Sequence, residues 1–250
     1  MNRDLPRRAL AEALGTGLLV TIVVGSGITA QRLSPGDIGL ELLENSTATA
    51  LGLAVLILIL GPVSGAHFNP VVTLADHALG HRPGTGVDRA TTAVFIPAQI
   101  AGGVGGAMLA NLMFGLPAVT ISTHTRSGGH LWLGEVVATA GLVLLVFSLA
   151  RTGRGAYGPA AVGAYIGAAY WFTSSTSFAN PAVTLARAFT NSFAGIAPGS
   201  LAGFIAAQLL GAGIGAALVV LLFPHHPAPA EPLAASDEPA FAATIPRTAS

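Results

Sequence analysis

Charged residues and cysteine are the main absences in this sequence. Only 9% of its 250 residues are charged and 52% are hydrophobic, whereas a soluble domain averages about 25% charged residues. A soluble chain this poor in charge would not cover its surface with polar groups, which excludes a soluble fold. The lack of cysteine excludes disulfides, thiolate chemistry and cysteine-ligated metals. The net charge is zero, so nothing indicates a nucleic-acid partner.

Acidic and basic residues are missing from four long stretches of the chain. These stretches separate Glu44 from Asp76, Arg89 from Arg126, Arg154 from Arg187, and Arg187 from Glu231. Each is longer than the roughly 20 apolar residues that cross a bilayer as a helix. Only helices and closed barrels satisfy their backbone groups in lipid, and these stretches lack the alternation of a barrel strand. The composition therefore predicts an all-α membrane protein.

The apolar segments fall into two length classes. We predict spanning helices near 9–30, 45–62, 89–112, 131–150, 158–175 and 200–223. Two further segments, 69–78 and 180–190, are too short to span, begin with Asn-Pro and follow stretches rich in helix breakers. Irregular backbone is tolerated at membrane depth only where it lines a cavity or is buried in protein, so we predict two re-entrant half-helices. The first apolar run shows no cleavage site and is predicted to be a retained helix.

An internal repeat indicates how these helices are arranged. Three segment pairs match: 12–16 with 135–139, 65–75 with 176–186, and 97–99 with 206–208. We therefore predict a channel domain over 1–223, built from one copy at about 8–115 and a second at 125–223. Each copy has three spans, so the second copy is inverted relative to the first. Inverted repeats with interrupted helices at their interface mark a solute pathway at the midplane. The segment 224–250 is predicted to be a disordered tail.

The basic residues predict the orientation of the chain in an inner (cell) membrane. One set lies before the first span, between the second and third, between the fourth and fifth, and in the tail: Arg3, Arg7, Arg8, Arg82, Arg89, Arg151, Arg154 and Arg247. The opposite loops carry only Arg32, Arg126 and Arg187. Because basic residues concentrate in cytoplasmic loops, both termini are predicted to be cytoplasmic.

The twin Asn-Pro pairs are predicted to form the centre of the pathway. Pro70 and Pro181 suit the first position of a helix, where a proline's missing N–H would be unpaired in any case. In an inverted repeat the two half-helices meet head to head, each with a partial positive charge at its start. The amides of Asn69 and Asn180 add N–H donors for a solute oxygen. A neutral solute gains hydrogen bonds there, whereas a cation is repelled.

The motifs around these pairs resemble those of a known family. Gly-Ala-His-Phe-Asn-Pro-Val-Val-Thr, at 65–73, and Phe-Ala-Asn-Pro-Ala-Val-Thr, at 178–184, resemble the paired signatures of the major intrinsic proteins, the aquaporins and aquaglyceroporins. The Glu-x-x-Gly-Thr of span one and the Ala-Gln of span three match as well. The resemblance covers about 8–223 and implies a homotetramer with one pore in each subunit.

Several other polar residues lie in the predicted spans and loops. Glu12 and Glu135 occupy matched positions and are predicted to anchor the re-entrant loops by accepting backbone N–H bonds, although ionisable groups within spans are also functional candidates. Gln99 and Gln208 are interpreted as interhelical hydrogen-bond formers. Two roles are open for His67, which either bonds the loop or faces the pore. No metal site is expected there, because no second histidine is near.

The resemblance also implies four residues of a selectivity filter. Counting from the motifs gives Thr49, Ala168, Ser177 and Val183, with Gly167 as the alternative to Ala168. In most of these channels an arginine stands at the position of Val183, so this filter is expected to be wide and uncharged. Arg187, one turn further on, either restores a positive charge near the mouth or pairs at the rim.

A valine at this filter position resembles the pattern of a bacterial aquaporin subgroup linked to arsenic resistance. Small neutral solutes are therefore expected as partners: water, glycerol, and arsenous acid or methylarsenicals. Two alternatives stay open, an ordinary water and glycerol facilitator and a secondary transporter, which the titratable Glu12, Glu135 and His67 would have to serve. The sequence shows no nucleophile–base pair and no cofactor loop, so we expect neither an enzyme nor a bound cofactor.

Overall fold

The computed structural model describes residues 4–80 and 84–224, and within these ranges the chain is helical, without strands. The α-helices in chain order are α1 Leu5–Leu33, α2 Ile38–Ser64, α3 Pro70–Gly80, α4 Arg89–Met113, α5 Gly129–Arg151, α6 Gly158–Phe172, α7 Pro181–Ala186 and α8 Leu201–Leu222. Short 3₁₀ turns occupy Gly155–Tyr157, Arg187–Phe189 and Pro198–Ser200. The predicted all-α fold is confirmed, with eight α-helices in these ranges, and α3 and α7 lie at the positions of the two predicted half-helices.

The fifth predicted span, 158–175, is shorter in the structure than its sequence indicated. Within the described residues, five helices are long and apolar enough to cross a membrane: α1, α2, α4, α5 and the stretch ending in α8. The α6 helix has 15 residues and ends at Phe172 instead of continuing to 175, because Thr173 turns into extended backbone. The 3₁₀ turn at Gly155–Tyr157 directly precedes α6 and extends the helical segment at its start.

The two half-helices differ in length. The α3 helix runs over Pro70–Gly80, close to the predicted 69–78. The α7 helix covers only Pro181–Ala186, whereas the sequence indicated a helix to 190. After Ala186 the backbone tightens into the 3₁₀ turn, and Thr190 is extended. The dipole of α7 is therefore weaker than that of a longer helix, since the macrodipole sums over aligned peptide units.

Close helix contacts hold each half of the molecule together. In the first half α1 packs on α4 and α2, and in the second α5 packs on α8. A Cβ atom added at Gly106 would lie 2.1 Å from the carbonyl oxygen of Gly17. At the matched Gly215 it would lie 2.5 Å from the carbonyl oxygen of Ala140. Such approach requires residues without side chains. Packing of α2 against α6 joins the two halves.

The connections define two sides of the molecule. Each half contributes three spans, so α1 begins and α8 ends on the same side, which we call the terminal side. The α3 half-helix returns to the terminal side, and α7 points to the opposite side. The predicted tail, with Arg247, lies outside the described residues, as do Arg3 and Arg82.

Candidate solute pathway

A buried carboxylate on α1 binds the loop that enters the first half-helix. Glu12 is fully buried. Its Oε1 accepts the backbone N–H of His67 at 3.0 Å, and its Oε2 accepts that of Phe68 at 2.7 Å. The hydroxyl of Ser64 donates to Oε1 at 2.6 Å, and Gln99 on α4 donates to Oε2 at 2.7 Å. A negative charge at 0% exposure is thus surrounded by donors, as a buried charge requires.

The second half repeats this arrangement around Glu135 on α5. Glu135 accepts the backbone N–H groups of Phe178 and Ala179 at 2.8 and 2.9 Å, and the side chain of Gln208 at 2.6 Å. Gln208 also donates to the hydroxyl of Thr184 on α7 at 2.8 Å. The glutamates therefore lie where the sequence placed them, each between a spanning helix and a re-entrant loop.

The two half-helices meet through their asparagines. Asn69 Nδ2 donates to the carbonyl oxygen of Ala179, and Asn180 Nδ2 donates to that of Phe68, both at 2.8 Å. The side-chain oxygens turn back to cap their own helices, with Asn69 Oδ1 accepting from Val71 and Asn180 Oδ1 from Ala182 at 3.0 Å. Each amide has two N–H groups, and the bond to the opposite loop uses one of them.

The loops before the asparagines share an unusual backbone. Positive φ angles occur at Gly65, Ala66 and Phe68, and again at the repeat-related Thr176, Ser177 and Ala179. The left-handed region is unfavourable for residues that carry a Cβ atom and is concentrated at functional sites. The same unfavourable conformation recurs in both loops, so it is a common feature of the two half-helix entries. The hydrogen bonds from the loop N–H groups to Glu12 and Glu135 stabilise this conformation.

One cavity passes the asparagines and reaches toward both sides of the molecule. Its volume is about 680 Å³. The terminal-side wall includes His67, Asp76 and Pro159, and the opposite end includes Tyr170 and Arg187. Between them the lining contains both Asn69 and Asn180 together with aliphatic side chains from α2, α5 and α6. The arrangement is a mostly apolar passage with hydrogen-bonding groups at its middle.

The opposite end of the cavity brings together three of the four predicted filter residues. Thr49, Ser177 and Val183 all line it and are nearly inaccessible from outside the protein. The hydroxyl of Ser177 is buried and has no protein hydrogen-bond partner within the described chain. The hydroxyl of Thr49 lies 3.3 Å from that of Tyr170 on α6. This end therefore offers three hydroxyl groups to a passing solute.

Ala168 is the exception and is corrected by the structure. It lies on the exposed face of α6 and does not border the cavity, and neither does the alternative Gly167. The face of α6 that lines the cavity carries Ile166 and Tyr170. Counting back from Asn180 misplaced this residue because the loop from Thr173 to Ala179 is irregular and sets the rotation of α6. Tyr170, and not Ala168, is the α6 residue that lines this end of the cavity.

Arg187 lies in the cavity wall. It is 2% exposed, its backbone N–H donates to the carbonyl oxygen of Val183, and its Nε donates to that of Ala194. Its guanidinium carbon is 3.4 Å from the centre of the Phe178 ring, a cation–π contact. Of the two roles that the sequence left open, the rim ion pair is not formed: the ion pairs within 4–80 and 84–224 involve other residues.

His67 both bonds its loop and faces the cavity. Its Nδ1 is 3.1 Å from the hydroxyl of Thr73, and its Nε2 is 3.9 Å from a carboxylate oxygen of Asp76. Asp76 in turn accepts the backbone N–H of Val87 at 2.8 Å. In the part of the chain described here, no three His, Asp or Glu side chains converge in a way that suits a metal ion.

Sequence reasoning missed two polar residues of the cavity wall, Tyr170 and Asp76. Tyr170 lies four residues after Ile166, and this helical spacing places the two side chains on the same face of α6. Asp76 was read only as the boundary of an uncharged stretch. Its position on α3, two turns after Asn69, was the available signal.

Comparison with known proteins identifies relatives over most of the chain. The sequence profile of the family described as "Major intrinsic protein" matches residues 2–178, which ends just before Asn180. The chain is 53% identical to the aquaglyceroporin AqpS of Rhizobium meliloti (strain 1021) over 225 residues, 90% of this chain and 94% of that protein. It is 30% identical to the propanediol uptake facilitator PduF of Citrobacter freundii over 178 residues, 62% of this chain and 63% of that protein.

Among solved structures, the chain resembles the X-ray structure of the aquaglyceroporin from Plasmodium falciparum. The TM-score is 0.65 with 20% identity, covering 86% of this chain and 95% of that chain. At this level of identity the likeness concerns the fold, including the helices that surround the cavity.

Proposed function

The chain belongs to the major intrinsic protein family, and from this premise we infer that its cavity is the pore of the channel. The protein is a membrane channel and not an enzyme: it passes small neutral solutes such as water and glycerol across a lipid bilayer. Passage is passive, so the cavity has to offer each solute enough hydrogen bonds to replace part of its hydration, without holding it tightly.

The observation that carries this proposal is the pairing of Asn69 with Asn180. Each amide is fixed by one bond to the opposite loop and one to its own helix. The amide N–H that remains on each lies beside the cavity, next to aliphatic walls that give no alternative partner. A solute oxygen therefore meets two oriented donors at the midpoint. An ion meets the same donors without the oxygen ligands it needs to shed its water.

We further propose that the pore admits solutes larger and more apolar than water, including arsenous acid and methylarsenicals. Val183 places an aliphatic surface where most of the resembling channels carry arginine, and the hydroxyl-bearing residues Thr49, Ser177 and Tyr170 line the same cavity. A small polyhydroxy solute can bind the hydroxyl groups, while a methyl group can contact the valine. The names of two relatives, an aquaglyceroporin and a propanediol uptake facilitator, support solutes of this size.

The alternative of a secondary transporter finds little support in the site. Such a mechanism needs titratable groups that are free to change partners, and Glu12 and Glu135 are occupied by the re-entrant loops. We also propose an inner-membrane location with both termini cytoplasmic, and a homotetramer with one pore in each subunit. The particle mass of the protein in mild detergent tests the tetramer, and a single-subunit mass would contradict it.

The substitution Val183→Arg tests the solute proposal. A guanidinium at this position narrows the pore and adds a fork of donors that favours hydroxyls over methyl groups. We expect the ratio of methylarsenite to water flux to fall by about tenfold or more, the equivalent of about 1.4 kcal/mol. The measurement is paired uptake of water, glycerol, arsenite and methylarsenite in proteoliposomes.

Two companion variants sharpen this test. Thr49→Phe should act in the same direction by steric closure. Ala168→Val, on the exposed face of α6, is the matched control and should leave every ratio unchanged. If Val183→Arg leaves the methylarsenite-to-water ratio at its wild-type value, Val183 does not line the constriction and the proposal for arsenicals is wrong.

A further inference from the structure

A buried arginine that forms no ion pair within the described ranges lies in the wall of the cavity. Arg187 is 2% exposed, and within the described residues the close contacts between basic and acidic side chains are Arg7 with Asp4 and His67 with Asp76. A buried charge without compensation is strongly unfavourable, so such groups are paired or serve a function. The hydrogen bond to Ala194 occupies Nε, which is one of five N–H groups on the guanidinium.

The surroundings of Arg187 fix its position. Its guanidinium lies over the ring of Phe178, and that ring contacts Phe204 on α8 edge-on at 5.1 Å. Arg126 approaches the same ring at 5.3 Å. The Arg126 side chain is itself held by the backbone carbonyls of Gly195 and Phe193, at 2.9 and 3.1 Å. An arginine held from several directions keeps its free N–H groups oriented before a solute arrives.

The location of Arg187 separates two properties of the pore. Val183 and Arg187 lie four residues apart, one turn from each other. The backbone N–H of Arg187 donates a hydrogen bond to the carbonyl oxygen of Val183. Both line the cavity, together with Tyr170. The aliphatic side chain of Val183 therefore comes first after Asn180, and the positive charge of Arg187 stands one turn further toward the opposite side.

We propose that Arg187 is the arginine that makes this pore selective. Its positive charge repels cations, and its N–H groups donate hydrogen bonds to the hydroxyl oxygens of entering neutral solutes. This proposal rests on the channel function stated above and names the residue that supplies its charge. Separating the charge from the valine lets a solute present hydroxyls to the arginine and an apolar group to Val183 in successive positions. The pore thus keeps a charge barrier without the narrowing that an arginine at 183 would bring.

The experiment compares cation leak with neutral flux in proteoliposomes that contain the full chain. Methylammonium influx and glycerol influx are measured for wild type, Arg187→Met and Arg187→Lys. Methionine keeps the length and removes the charge, so the methylammonium-to-glycerol ratio should rise by about tenfold, as expected for removal of a nearby unit charge. Lysine keeps the charge and should keep the wild-type ratio.

Arg32→Met is the matched control. Arg32 lies on the same side of the molecule, contacts the ring of Phe114 at 5.2 Å and donates to its carbonyl oxygen at 2.9 Å, but it does not line the cavity. Its loss should leave the ratio unchanged. If Arg187→Met gives the wild-type ratio, or if Arg32→Met raises the ratio as much as Arg187→Met, the proposal is overturned.

A second variant covers the case in which Arg187→Met does not fold. Arg187→His carries a charge only when its imidazole is protonated, which low pH favours, so its methylammonium-to-glycerol ratio should be lower at pH 5 than at pH 8. The other titratable groups acting on this position are Tyr170, Arg126 and Glu135, and wild type measured at both pH values accounts for them. A ratio that does not change with pH in this variant overturns the proposal.

The failure of this inference and the failure of the channel function give different results. If wild-type liposomes pass no glycerol faster than empty liposomes, the channel function is wrong. If wild type passes glycerol and the variants leave cation exclusion intact, only the role of Arg187 is wrong.

Discussion

At the scale of single residues, the amides of Asn69 and Asn180 perform three tasks with a few atoms. Each Oδ1 caps its own half-helix, one N–H of each Nδ2 crosses to the opposite loop, and the other N–H remains beside the pore. Asparagine is suited to this because it is the smallest side chain with both an acceptor and two donors. A substitution that keeps the shape and removes the donors therefore isolates their role.

Replacing Asn180 with aspartate should reduce selectivity with little change in fold. The carboxylate still caps α7 but has no N–H to donate to Phe68 or to a solute, and it places a negative charge in the pore. We expect glycerol flux to fall by about fivefold, the equivalent of losing a hydrogen bond of about 1 kcal/mol, with increased cation leak. Stopped-flow light scattering measures the first and methylammonium influx the second.

The control for this variant is Asn191→Asp. Asn191 is exposed, and its side-chain oxygen accepts hydrogen bonds from Thr123 outside the cavity. Its conversion should change neither flux. Wild-type glycerol flux and cation exclusion in Asn180→Asp would place the rate-determining contacts elsewhere in the pore.

At the scale of elements, each re-entrant loop is held by a spanning helix of its own half. The positive φ angles of these loops are unfavourable in isolation. The carboxylates of Glu12 and Glu135 hold the loops through backbone N–H groups, and Gln99 and Gln208 brace the carboxylates from α4 and α8. The half-helices are therefore positioned by buried polar contacts as well as by their own apolar packing.

Glu12→Ala should destabilise the protein strongly. It removes the acceptor for four donors, on Ser64, His67, Phe68 and Gln99, and a buried group left unpaired costs about 1–3 kcal/mol. Glu135 accepts from only three described donors, so Glu135→Ala should be the less destabilised of the two. Thermal unfolding in detergent gives the order of stabilities.

Glu12→Gln serves as the matched comparison for this pair. It keeps one acceptor oxygen and the shape of the side chain, so its unfolding temperature should fall between those of wild type and Glu12→Ala. A Glu12→Ala protein that is as stable as wild type but unable to transport would speak for a proton-coupled role and against loop anchoring.

At the scale of the whole molecule, the distribution of basic side chains differs between the two sides. On the terminal side Arg7, Arg89 and Arg154 lie at helix ends or in loops. On the opposite side Arg187 is buried and Arg126 is bound to loop carbonyls, which leaves Arg32 as the exposed arginine there. Because basic residues concentrate in cytoplasmic loops, the excess on the terminal side predicts that both termini are cytoplasmic.

The absence of cysteine makes this orientation directly measurable. Thr152→Cys on the terminal side and Ser127→Cys on the opposite side are both exposed substitutions in loops. With a membrane-impermeant maleimide, Ser127→Cys should react in intact spheroplasts, and Thr152→Cys should react only after permeabilisation. The reverse pattern would show that the termini are extracellular and that the positive-inside argument fails for this chain.

The sequence by itself determined the class of the protein and the order of its helices. Low charge and apolar length require membrane helices, and a repeated Asn-Pro motif after an odd number of spans requires inversion, so these features follow from local chemistry and counting. Glu12 and Glu135 were also identifiable, because a carboxylate in a lipid-spanning helix needs donors and the matched loops were the available source.

Only the tertiary structure decided what lines the outer part of the pore. The rotation of α6 depends on how an irregular loop with three left-handed residues connects it to α7, and no count of residues reproduces that rotation. The structure thus placed Tyr170 in the wall in place of Ala168. Likewise, the contacts of Arg187 with Phe178 and Ala194 join residues from separate segments. Motif spacing shows which segments repeat along the chain. The direction of each side chain in the pore depends on how distant segments pack together, and motif spacing does not determine that packing.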